Sequence, residues 1–441
     1  MTSVSGNDGV AVAREPALVS ATMRFSTSIL VGLSAGLVLQ VWTLAFLGRV
    51  GGEALYVRAI YAPVGFLALA VTEGLVVAAQ VSAGIATRDE RRDVLRPLPT
   101  HLVVGGGVLV LTAAVFTAGS GVILGVLGVA AEDRPGVVTF VVAVCLTSVG
   151  SLVPYAGGAV LRGMGRAGAS SLLSVGFTVL SMAAMAVLGA TTDLGVLAVP
   201  VGTLVASAAA GVAATVLLRG HLPHTSVRWL RRDALGELWA FGAPVAATFL
   251  LLSSVNFGYL RVLRDAGTAD IAGFGLGQNA TGFFMVPALA IGSGAAVAAN
   301  LRPGQSRREI DVVGLSATLR VALPAYACIG VLAYVLRHPL ARLLTSDEAI
   351  VAVTADYFAW TGPTSALFGG TLTLLTYLEQ IGRASAAFAL NTVYFAALPA
   401  IASSLPQPVD STTLARLLAV SNVIGFATCW YCAWHLVRRT R

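Results

Sequence analysis

Lysine is missing from this chain of 441 residues, and charged side chains of all kinds make up only 11% of it. Soluble domains carry about 25%, so a water-facing globular surface is excluded for most of the length. Cysteine is scarce: Cys145, Cys328, Cys429 and Cys432 all lie in apolar segments. The last two have redox or zinc spacing, but with no second pair or ligating His they read as small core residues. His221 and His224 lack carboxylate support for a metal. No phosphate-cradling P-loop is present, so nothing supports direct ATP coupling. Gly32-Leu33-Ser34-Ala35-Gly36 has the nucleophile-elbow pattern, yet it lies in an apolar helical run with no His at that depth, and reads as helix packing. No enzyme activity and no cofactor or metal are therefore expected. Residues 1–23 lack the continuous apolar run and cleavage site of a signal peptide, and read as a short cytoplasmic tail.

What the chain has is apolar length. It is 56% hydrophobic, with a mean hydropathy of +0.83. Twelve spans can be drawn, at about 25–48, 58–86, 101–128, 137–161, 168–190, 194–218, 239–262, 271–300, 315–335, 350–378, 384–405 and 412–437. They must be helices, because an open strand leaves backbone groups unpaired in hydrocarbon and no period-two alternation suggests a barrel. An even count puts both termini on one side. With that side cytoplasmic, inner loops and tails hold 19 Arg and outer loops 8, with Arg320 inside a span. This bias fits the positive-inside rule and accounts for the net charge of +7 without a nucleic-acid partner. A multi-pass protein of a bacterial inner membrane, monomeric and surrounded by lipid, is expected.

Two motifs recur about 217 residues apart. Leu161-Arg162-Gly163-Met164-Gly165-Arg166-Ala167 is echoed by Leu378-Glu379-Gln380-Ile381-Gly382-Arg383-Ala384. Ala79-Gln80 through Gly84, before a charged run, is echoed by Ala299-Asn300 through Gly304. Duplicated halves suit a protein that alternates between two faces about a central site. The expected organisation is a tail (1–24), a six-helix bundle (25–218), an amphipathic crossover linker (219–238), a second six-helix bundle (239–437) and a tail (438–441).

Ionisable groups at membrane depth are functional candidates by default. Glu73, near the middle of span 2, is the candidate for ion coupling. Arg162 and Glu379 occupy equivalent repeat positions near the cytoplasmic ends of spans 4 and 10 and are candidates for a gate, although Glu379 can also pair with Arg383. Asp356 reads as a capping or surface residue. Neutral polar residues within the spans are candidates to line a substrate cleft: Gln40, Thr43, Gln80, Asn256, Gln278, Asn279 and Asn300. Prolines inside the spans, such as Pro154 and Pro287, permit kinks around a cavity.

These residues resemble the MATE (multidrug and toxic compound extrusion) family of the multidrug/oligosaccharidyl-lipid/polysaccharide flippase superfamily. Leu47-Gly48-Arg49-Val50-Gly51 with Ala54-Leu55 is similar to the motif after the family's first helix. Gln80 to Gly84 is similar to the end of its second, Leu161 to Gly165 to the end of its fourth, and Ser346-Asp347-Glu348 to the acidic start of its tenth. The resemblance implies twelve helices in two pseudo-symmetric bundles forming a V-shaped cleft, and export of amphipathic small molecules, such as drugs or natural products, driven by an ion gradient. The alternative within the superfamily is a lipid-linked glycan flippase, which would carry arginines in its cavity. One departure stands out: many bacterial members have an Asp in helix 1 where this chain has Thr43, and span 7 lacks the Glu of some members. H⁺ is therefore the expected coupling ion rather than Na⁺, and a neutral or zwitterionic cargo suits a cleft with few acids.

Overall fold

The computed structural model describes residues 7–89, 93–126, 129–221, 228–302, 307–406 and 409–438. Among them the regular structure is helical, with no strand. Among the described residues, eleven continuous stretches are long and apolar enough to cross a membrane. The longest, Glu348–Ser403, is broken at Gly382, whose φ of 88° is left-handed. Counting it as two gives the twelve spans. Many side chains on them are apolar and exposed, such as Leu111, Val122 and Leu172, as expected where the solvent is lipid.

Contacts divide the chain into two compact units. The central unit, Val31–Leu250, contains most of α1 (Asn7–Val50), then α2 (Gly52–Arg88), α3 (Leu98–Val126), α4 (Arg134–Gly163), α5 (Ala167–Thr191), α6 (Ala198–Leu218) and the short α7 (Arg232–Glu237). It also holds a π-helical turn, Leu238–Gly242, and the start of α8 (Ala243–Val262). The terminal unit joins Met1–Leu30 to Leu251–Arg441. It holds the rest of α8, then α9 (Thr268–Asn300), α10 (Arg307–Val335), α11 (Arg337–Leu344), α12 (Glu348–Thr361), α13 (Ser365–Leu378), α14 (Ala384–Ser403) and α15 (Ser411–Arg438).

The divisions fall inside α1 and α8, whereas the sequence places them at the linker. The reason is local packing. Gly294 of α9 has no side chain and lies directly against Ser26, so the start of α1 rests on α9. α7 and the turn after it are held on α2 and α3 in turn. Ser82 Oγ donates to the Glu237 carboxylate at 2.6 Å, and His101 Nε2 lies 3.2 Å from the Ala234 carbonyl. α1 also starts at Asn7 rather than near 25. A helix already formed propagates into the Ala- and Val-containing stretch before it at little cost. His224 and the Pro303–Gly304 end of the second echo lie outside the described residues.

The repeat is visible in the structure. Gly165 (φ 77°) and Gly382 (φ 88°) both make a left-handed turn, the conformation that favours glycine. The arginine after each caps a helix C-terminus within its own unit. Arg166 donates to the Leu217 carbonyl at 3.0 Å and Arg383 to the Leu436 carbonyl at 2.8 Å.

Candidate coupling and substrate sites

The central unit's polar site is built where α2 meets α4. The last turns of α4 are rich in glycine, and Gly163 needs to be: a Cβ there would run into the Gln80 carbonyl oxygen of α2. One turn earlier, a side chain on Gly158 would crowd Ser170 Oγ of α5 at 3.2 Å. This close approach lets Arg162 reach two helices. Its Nε donates to Gln80 Oε1 at 2.8 Å and its Nη1 to Ser170 Oγ at 3.1 Å. Gln80 and Ser170 are almost wholly buried, so the guanidinium is held in place.

Glu73 lies two turns before Gln80 on α2 and is partly exposed. Tyr155 lies two turns before Arg162 on α4. The spacing puts each pair on one face of its helix. The charges of Glu73 and Arg162 attract each other, and Tyr155 feels the Glu73 charge. Among the described residues no direct ion pair closes the gap between Glu73 and Arg162. An attraction across a gap, between one pinned ion and one partly exposed ion, is an arrangement that a third charged or polar group can enter.

The terminal unit has a different polar set at the equivalent turn. Glu379 takes the place of Arg162 and is buried, accepting a hydrogen bond from Asn391 Nδ2 at 3.2 Å. Gln380 Nε2 donates to Ser293 Oγ at 2.6 Å, and Asn300 Nδ2 donates to the Gln380 carbonyl at 3.3 Å. The acid thus replaces the base at the same point of the repeat. Arg162 and Glu379, expected as a gate pair, each have hydrogen-bond partners inside their own unit.

The remaining cleft candidates separate by environment. Thr43 donates back to the Leu39 carbonyl at 2.8 Å, as helical Thr commonly does. Gln278 accepts from Tyr357 Oη at 2.8 Å, beside Thr281 Oγ1 at 3.0 Å from the same hydroxyl. Tyr357 in turn packs edge-on against Phe274 and Phe358. Gln80 and Asn300 are engaged as described. Gln40, Asn256 and Asn279 are exposed. Asp356 accepts from Thr412 Oγ1 at 2.6 Å, joining α12 to α15.

Sequence reasoning missed Ser170 and Tyr155. Ser170 carried a weak signal, lying two turns beyond Arg162 with only the Gly165 turn between. Tyr155 carried one in its two-turn spacing from Arg162, which matters only once α2 is known to face α4.

Comparisons with known proteins agree with this architecture. Residues 244–402 match the MatE family model. No functionally curated protein matches the sequence. Among solved structures, the chain is similar to a point mutant of the MATE transporter VcmN of Vibrio cholerae, with a TM-score of 0.87 at 17% identity over 97% of this chain and 99% of that one. It is also similar to a MOP-superfamily transporter from Pyrococcus furiosus, described as having a binding pocket of reversed polarity, with a TM-score of 0.82 at 16% identity over 96% and 95% of the two chains. A multidrug-resistance MATE transporter in an outward-facing conformation matches at a TM-score of 0.80, with 15% identity over 96% and 95%. The MatE family model thus matches part of the second half, and the chain has the fold of solved MATE transporters along its length.

Proposed function

We propose that this protein is a proton-driven exporter of amphipathic small molecules, working by alternating access in a bacterial inner membrane with both termini cytoplasmic. The observation that carries the proposal is the pair formed by Glu73, partly exposed in the middle of α2, and the pinned Arg162. An ionised carboxylate at that depth is costly unless a cation balances it. Taking up a proton neutralises Glu73 and leaves Arg162 without a counter-charge. A hydrogen-bond-donating group of the cargo can engage Glu73 only while the carboxylate is ionised, so protonation displaces it. Proton and cargo thus compete for one site, which is the requirement for exchange. A Na⁺ ion would be repelled by the neighbouring guanidinium, whereas a proton removes the charge outright. The exposed amide of Gln40, in the same unit as Glu73 and Arg162, is assigned as a neutral contact for the cargo.

Purified protein in proteoliposomes, with ΔpH and ΔNa⁺ imposed separately, tests the reading using a panel of fluorescent amphipathic dyes. Transport is expected under ΔpH alone and is expected to vanish in Glu73→Gln. ΔNa⁺-driven transport, or ΔpH-driven transport unchanged in Glu73→Gln, would overturn it.

A further inference from the structure

The segment joining the two sequence halves has an outward face that the transport reading leaves unused. α7 and the π-helical turn after it run directly into α8, so one continuous helical stretch, Arg232–Val262, leads from the surface into a span. Its inner face is fixed at three points on the central unit. Ala234 is buried with its carbonyl near His101, Glu237 accepts from Ser82, and Gly242 abuts Gly74 backbone to backbone. That anchoring decides which residues face away.

Arg232, Leu235 and Trp239 follow one another at helical spacing on the opposite face. Leu235 is 40% exposed and Trp239 79%. Just before them, Trp229 and Leu230 are 64% and 65% exposed. Large apolar groups this open, on a segment already fixed to the body, are not waiting for the protein's own core. The charges on this face are unbalanced as well. Asp233 is paired with Arg231 at 2.6 Å, and Glu237 keeps its charge on the inner face, where neutral Ser82 donates to it. Arg228 and Arg232 are exposed and have no described partner.

Exposed Trp and Leu interleaved with Arg residues that have no partner among the described residues, at the mouth of a membrane-spanning helix, match the boundary between acyl chains and headgroups. The surplus positive charge selects among lipids, because a zwitterionic headgroup offers no net attraction and an anionic one does. We propose that the outward face of residues 228–239 is a docking surface for anionic phospholipid headgroups. The indole and leucine side chains enter the acyl boundary, while Arg228 and Arg232 bind the phosphates. The inner face of the same segment presses on Gly74, the neighbour of Glu73, so headgroup binding braces the helix that carries the coupling carboxylate. The proposal is independent of the direction and cargo of transport.

Amide hydrogen exchange in lipid nanodiscs tests it without a transport assay. Residues 229–236 are expected to exchange roughly tenfold more slowly in discs of 60% phosphatidylcholine and 40% phosphatidylglycerol than in pure phosphatidylcholine, since two arginines are attracted to the anionic surface. The double variant Arg228→Gln/Arg232→Gln is expected to lose that difference while α2 to α6 keep their protection. Equal exchange in the two disc types, or a difference that survives in the double variant, overturns the proposal. Free glycerol phosphate reproducing the protection in phosphatidylcholine discs also overturns it, since the site would then bind a soluble anion.

Discussion

Gly74 and Gly242 meet backbone to backbone: a Cβ built on either would come within 2.7 Å of the other's carbonyl oxygen. Neither glycine can yield by rotating a side chain, because the atoms met are main-chain atoms. The π-helical turn Leu238–Gly242, wider than an α-turn, is formed at this contact. Gly74→Ala and Gly242→Ala are each expected to destabilise the protein by about 1–3 kcal/mol, the usual range for overpacking. Thermal unfolding in detergent, followed by tryptophan fluorescence, measures this. Gly107→Ala, where an added Cβ meets nothing within 4 Å, is the control and is expected to change little.

Arg162 serves two acceptors at once, Gln80 and Ser170. A guanidinium can do this from a fixed fork, whereas an ammonium is a point charge on a flexible stem. Gln80→Ala is expected to cost about 1–3 kcal/mol, since it removes the buried partner of a partly buried charged donor. Arg162→Lys is expected to lose a similar amount and most of the dye transport. Combining the two should cost much less than their sum, because both remove the same hydrogen bond. A double-mutant cycle on unfolding midpoints reads this coupling; strict additivity would show that the bond contributes little.

The spans were legible because hydrocarbon leaves so few options: twenty apolar residues in a row must pair their backbone internally. The turn at Gly165 was legible because it is written twice, and its partner Gly382 also explains why one helical stretch of 56 residues is two spans. The meeting of Glu73 and Arg162 was not legible. Each was visible alone as a charge in an apolar run, but only the docking of α2 on α4, through the missing side chain of Gly163, brings them to one place. The anchoring of the linker was hidden for the same reason. Ser82 and Glu237 lie 155 residues apart and neither stands in a motif that names the other. Gln80 was legible as polar but not as occupied: it supports Arg162 rather than lying free.

Asp410 gives a pH signature outside the spans. Its Oδ1 accepts from the Thr413 amide at 2.9 Å at the start of α15, filling one of the helix's unpaired N–H groups. The Thr413 side chain most of all, then this amide hydrogen bond and a smaller pull from Arg416, hold the carboxyl below its ordinary value of 3.8. A depressed folded-state pKa means the contribution is present above the ordinary aspartate range and is lost as pH falls through and below it. The wild-type protein is therefore expected to be more stable than Asp410→Ala at pH 6–8, by a margin that holds steady there and narrows below about pH 4. Unfolding midpoints of the two proteins across that range check it, and a margin that widens in acid would contradict the capping role.

Arg166 and Arg383 do the same work in the two units, but in different surroundings. Each closes the C-terminal end of a helix by donating to a carbonyl, Leu217 in one case and Leu436 in the other. The Arg166 contact is exposed to solvent, whereas the Arg383 contact is partly buried. Solvent screens the first and replaces it readily when it is lost. A carbonyl shielded from water has no such substitute, and losing its donor costs about 1–3 kcal/mol. Arg383→Ala is therefore expected to destabilise the fold by that amount and Arg166→Ala by less than about 1 kcal/mol, although the sequence writes the two residues identically. Equal losses in the two variants would mean that the repeat preserves the energetics as well as the geometry of the turn.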